Sequence, residues 1–172
     1  MTQFPGTVTH VPGILVRLPC MFDLSNKNDV DMKFSNASEG VLALISLVLT
    51  ADQVATDPER NYLFNQVGNL DLFRVLDEHD FIGMMSSVNE QLFGTPDAYD
   101  ALMQSGGVHQ FCEAFKAVVP ASMTESAFQL ACEIASSDGL IEIERDLLHA
   151  VGAGLGISRM FINQAVQRAE MN

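Results

Sequence analysis

The sequence has no tryptophan, two tyrosines, and nine basic residues against twenty-two acidic ones in 172. The shortage of lysine and arginine argues against nucleic acid and against anionic membrane surfaces as partners. A formal charge of −13 repels phosphate backbones and lipid headgroups. The same field attracts cations and basic protein surfaces. Cysteine is also sparse: Cys20, Cys112 and Cys132 are an odd number without a CxxC pair, which argues against a disulfide framework and a zinc ribbon. Cys112 and Cys132 fall at apolar positions of helical patterns and read as buried, reduced thiols.

Long hydrophobic runs are missing too. No stretch reaches the roughly 20 apolar residues of a spanning helix, and Pro5, Pro12, Arg17 and Pro19 break up the N-terminal segment. A cytoplasmic protein is expected. Catalytic signatures are lacking: there is no HExxH, GxSxG or Walker loop, and no GxGxxG follows a strand. His10, His79, His109 and His149 stand apart from one another and from the cysteines, and read as surface or cap histidines. The reading is of a protein that is not an enzyme.

What is present is an ordinary core. The apolar fraction of 48% lies in the globular range, and a chain near this length buries roughly 70% of the surface it exposes unfolded. One domain over 35–172 is expected, preceded by a partly extended arm over 1–34, where Pro5-Gly6, Pro12-Gly13, Pro19 and the polar run Ser25 to Asp31 leave no room for a long helix. The apolar run Val11 to Leu18 in this arm is expected to pack across the body, to dock a partner, or to join two copies as a homodimer.

From Ser38 onward the periodicity is helical, with candidate caps at Ser35, Asn36 and Ser38 and a stripe of Leu44, Ile45, Val48 and Leu49. Thr56-Asp57-Pro58-Glu59 opens a second helix running to about Asn69, and Asp77 to Leu92 makes a third. Thr95-Pro96-Asp97 opens a fourth, with Ser105-Gly106-Gly107 read as its stop; Val108 to Val119 forms a fifth that Pro120 terminates. Ser122 and Glu125 have capping-box spacing and predict the start of a sixth helix ending at Asp138-Gly139. Ile141 to Leu155 is a seventh, and Ser158 caps an eighth that carries Met160, Phe161, Ile162, Ala165 and Val166. Gly152 and Gly154 are read as permitting close helix approach, and the nine methionines, Met84, Met85 and Met160 among them, as core filling before a partner groove. The fold class is therefore all-α, a bundle of seven or eight helices with no strand pattern.

The stretch Leu44 to Asp52 matches Leu130 to Asp138: an apolar helix, a small-residue pair and an Asp. The match continues through Glu59-Arg60 with Leu63 and Glu144-Arg145 with Leu148. Two helical hairpins related by a pseudo-twofold axis follow from this repeat. At these residues the chain resembles the TerB-like family, named for tellurite resistance. The likeness lies in a helix ending Ala135-Ser136-Ser137-Asp138-Gly139, the turn through Leu140 and Ile141, and a second helix opening at Glu142-Ile143-Glu144. Val119-Pro120 upstream and Leu155-Gly156-Ile157-Ser158 downstream extend the likeness, although Gln53 stands in the first copy where the pattern has Gly. The resemblance implies a cytoplasmic stress-response domain that acts through protein partners, a membrane protein among them, and that carries an acidic cation-binding surface.

A carboxylate in the last turn of a helix faces the negative end of the macrodipole, a cost of roughly 0.3–1 kcal/mol unless compensated. Two compensations suit Asp138. It caps the free N–H groups of the next helix, leaving Glu142 and Glu144 as ordinary first-turn acids, or it joins Glu142 or Glu144 in an oxygen shell for Ca2+ or Mg2+. Asp52, Asp57 and Glu59 are the corresponding metal candidates in the first copy. A helical interaction or scaffold domain with no cation site is the alternative reading.

Overall fold

In the computed structural model, the described residues are 32–51, 63, 65, 66, 72–74, 76–95 and 97–171, with positions 78 and 105 described in backbone only. They form seven helices and no strand, together with helical residues at Leu63, Asn65 and Gln66. The helices are α1 (Ala37–Leu49), α2 (Glu78–Phe93), α3 (Ala98–Met103), α4 (Ser105–Val118), α5 (Ala121–Ala135), α6 (Glu142–Gly154) and α7 (Arg159–Glu170). The arm up to residue 31, and most of the expected second helix, lie outside the described residues.

Helix α1 is the centre of the bundle. Every residue from Gly40 to Leu49 is buried, as expected of a helix that is apolar all round. It packs on α2, α4 and α5, with a smaller contact to α6; α5 and α6 both meet α7, and α3 lies against α4. The core reaches back to Met32 and Phe34, whose ring meets Phe111 edge-on at 5.9 Å. Phe73 and Phe81 make a similar edge contact at 6.0 Å, and the Tyr99 hydroxyl donates to the Ala51 carbonyl, tying α3 to the end of α1.

Two helix starts use capping residues expected from sequence, Asn36 and Ser158, and a third is capped by Asp77, which the periodicity placed inside the helix. The Asn36, Asp77 and Ser158 side chains accept from the backbone N–H of Glu39, Asp80 and Phe161, each satisfying one of the donors a helix leaves open at its N-terminus. Two expectations need correcting. Ser105-Gly106-Gly107 does not end α3; it forms the first turn of α4, with Gln104 alone separating the two helices. The reason is steric: a Cβ on Gly107 would stand 2.3 Å from the Ala101 carbonyl oxygen and 2.5 Å from Leu102 Cα, so only glycine lets α4 start against the end of α3. The Ser122–Glu125 capping box is not formed either. Pro120 occupies the N-cap position of α5, which shifts both residues past the places where a box can close.

Gly152 and Gly154 mark close approaches, as expected. A Cβ at Gly152 would stand 2.8 Å from Ile162 of α7 and 3.1 Å from Phe128 of α5, and one at Gly154 would lie 2.6 Å from Cys112 Sγ. Cys112 and Cys132 are free and buried, with burial raising their pKa to about 11 and about 12. Both are protonated at neutral pH. Met84 and Met85 pack against the core, whereas Met160 is 69% exposed despite its place in the apolar phase of α7. The first helices of the two repeated stretches, α1 and α5, pack directly on one another; most of the remainder of the first hairpin lies outside the described residues. No described helix is long and apolar enough to cross a membrane.

Candidate functional site

The turn between α5 and α6 is built by a few local bonds. Helix α5 closes with the Ser136 and Ser137 N–H groups donating to the Cys132 and Ile134 carbonyls, and the Gly139 N–H donates back to the Ser136 carbonyl at 3.2 Å. Gly139 has φ +108°, a region that side-chain-bearing residues rarely adopt, which explains glycine directly after Asp138. The chain then extends through Leu140 and Ile141 and re-enters helix at Glu142.

The candidate acids of this turn are separated by their surroundings. Glu144 is 4% exposed, and its carboxylate accepts the Ile141 N–H at 3.0 Å, the half of a capping box that a glutamate at the third helical position supplies. The capping role read for Asp138 thus belongs to Glu144, because an N-cap isoleucine has no acceptor and the nearest in-phase carboxylate replaces it. Asp138 is exposed and makes no hydrogen bond to a described residue; Glu142 is exposed on the first turn of α6. Asp52, Asp57 and Glu59 lie outside the described residues. Among the described residues, no group of three or more His, Cys, Asp or Glu side chains is placed to hold a metal. His79 and His109 are exposed and His149 is half-buried.

This assignment predicts unequal effects at the cap. Glu144→Ala is expected to destabilise the fold by about 1–2 kcal/mol through loss of the capping bond to the Ile141 N–H, and Glu144→Gln by much less because its amide oxygen still accepts. Urea unfolding of the two variants measures the difference; equal losses would remove the cap from the account.

On the neighbouring face of α6 lies a feature the sequence reading did not locate. A groove of about 640 Å³ runs between α6 and the α3–α4 junction, lined by Met103, Val108, Ile143, Leu147, Ala150 and Gly154, with His109 and Asp146 on its walls. Ile143 is 42% exposed at the groove and Ile141, just upstream, is 43% exposed. The available signal was the spacing of Ile143, Leu147, Ala150 and Gly154, four, three and four residues apart, which is a complete apolar stripe along one helix face. A smaller cavity of about 190 Å³ lies between α1 and α5, lined by Val41, Leu72, Met123, Ala127 and Leu130 with Ser122 and Ser126. No family profile, curated protein or solved structure matches this chain. The arrangement can bind an apolar surface along α6; the described residues bring no nucleophile, base and oxyanion donors together in it.

Proposed function

We propose that this chain is a non-catalytic, TerB-like stress-response module that acts by binding other proteins through the face formed by α4 and α6. The observation that carries the reading is the open apolar groove, with the exposed Ile143 in its lining, on a strongly acidic chain. Apolar patches rimmed by polar groups are characteristic of interaction surfaces. The TerB-like part rests on the Ala135 to Glu144 motif, to which the structure adds a left-handed Gly139 and a capping Glu144. The test is growth on tellurite of a sensitive host. Expression of the wild-type chain is expected to raise tolerance and Ala150→Trp, which fills the groove, to remove the gain. Equal growth with wild type and with empty vector overturns the stress-response reading.

A second reading, an added cation site, is favoured by one observation: Asp138 follows the C-terminus of α5 without a compensating partner among the described residues. Asp138, Glu142 and the turn carbonyls are an oxygen set suited to Ca2+ or Mg2+. An ion at a hundred times its dissociation constant adds about 2.7 kcal/mol, or on the order of 5–11 °C in melting temperature. Asp138→Asn is expected to abolish that shift while leaving the metal-free protein as stable or slightly more so, since the unfavourable dipole interaction is gone. Melting curves with chelator and with millimolar Ca2+ or Mg2+ decide between the readings: no shift in the wild type leaves the scaffold without a cation.

A further inference from the structure

We propose that the groove beside α6 is a docking site for one amphipathic, basic α-helix of a partner protein. The proposal rests on the partner-binding reading above and specifies its chemistry. The apolar stripe of α6 comes first. Ile143, Leu147, Ala150 and Gly154 line the groove at the four-three-four spacing with which one helix receives the side chains of another. From Ile143 to Gly154 the stripe rises about 16 Å, three helical turns. A strand is a poor fit, because the described elements are all helical and offer no sheet edge to extend. Met103 on the opposite wall supplies an adaptable apolar surface.

Charge decides the character of the occupant. The helices around the groove carry Asp100, Glu113, Glu142, Glu144 and Asp146 against two bases, Lys116 and Arg145. Each base is already paired: Lys116 with Glu113 at 2.5 Å and Arg145 with Glu170 at 2.5 Å. Asp146 on the groove wall is exposed, as is Glu142, the residue before Ile143 on α6. An incoming helix therefore meets an apolar floor with carboxylates beside it, and is complemented by large aliphatic residues on one face with lysine or arginine flanking them.

The test is fluorescence anisotropy with a labelled synthetic 14-residue peptide of leucine and lysine in amphipathic helical register. Two controls accompany it: a peptide of the same composition in alternating order, and one with glutamate for each lysine. The wild-type chain is expected to bind the first with a micromolar Kd and both controls at least tenfold more weakly. Ala150→Trp is expected to weaken binding at least tenfold with an unchanged melting temperature, since Ala150 is exposed. Ile143→Ser serves as the second groove variant should the tryptophan disturb folding. Asp146→Asn should weaken binding several-fold and flatten its salt dependence. Equal binding of the amphipathic and alternating peptides, or of wild type and both groove variants, overturns the proposal. A wild-type dimer that Ala150→Trp converts to monomer in sedimentation overturns it too, because the occupant is then a second copy. Failure here leaves the tellurite result of the wild-type chain standing, so the two readings fail separately.

Discussion

Gly107→Ala should lower stability by about 3 kcal/mol, the upper end of what overpacking costs, while Gly106→Ala, one residue earlier on the same turn, should raise it by about 0.5–1 kcal/mol. The contrast follows from what each new methyl group would meet. At Gly107 the three nearest atoms are all backbone: the Ala101 and Leu102 carbonyl oxygens and Leu102 Cα, at 2.3 to 2.6 Å. Backbone cannot rotate away as a side-chain tip can, so α3 and α4 must separate or the first turn of α4 must unwind. At Gly106 nothing lies within 4 Å, and alanine simply removes glycine's conformational entropy cost inside a helix. For a chain of this size, Gly107→Ala corresponds to a melting temperature lowered by about 6–12 °C. Thermal unfolding of the two variants side by side measures this; similar shifts for both would mean that α4 does not begin against the end of α3.

Phe128→Ala should cost about 3–5 kcal/mol, the range for removing a fully buried aromatic side chain. Phe128 is completely inaccessible on α5, beside Gly152 of α6, where that helix also meets Ile162 of α7. Three helices converge on this ring, so the cavity left by alanine cannot collapse without shifting all of them. A fall in melting temperature on the order of 10–15 °C is expected. Phe161→Ala on α7, where the ring is only partly buried, should cost clearly less. Urea midpoints of the pair supply the measurement, and equal costs would contradict the packing described.

Much of the fold was legible because several helices carry their own punctuation. Asn36 and Ser158 are short polar side chains placed directly before apolar periodicity, and each caps its helix as expected; Asp77, read as the first residue of its helix, caps it instead. The failures are equally physical. Gly106-Gly107 has the composition of a helix stop, but the pair's role is set by contact with a carbonyl end that only the fold supplies. Ser122 and Glu125 have the right spacing for a capping box, yet Pro120 takes the cap position and starts the helix before the box can form. Met160 sits in the apolar phase of α7 but no helix covers it, since periodicity marks a face without saying what packs there.

The candidate site was partly legible. The Asp-Gly turn stood out because glycine after a helix end signals a left-handed residue, and Gly139 has that conformation. Which acid would serve the helix start was not readable, because it depended on an isoleucine falling at the N-cap and leaving Glu144 to accept its N–H. The groove was missed because its lining joins α6 to the α3–α4 junction, which is distant from it in sequence, while the α6 stripe alone looks like any core-facing stripe.

The central claim, that the chain works by holding other proteins against the α4–α6 face, is tested most directly by photo-crosslinking inside stressed cells. A benzophenone side chain is placed at Ala150 in the groove or at Gln167 on the exposed side of α7. Predicted at Ala150 are adducts whose attached peptides, identified by mass spectrometry, come from basic amphipathic helices; Gln167 should give none of them. No adduct at Ala150, or the same adducts from both positions, would contradict the account.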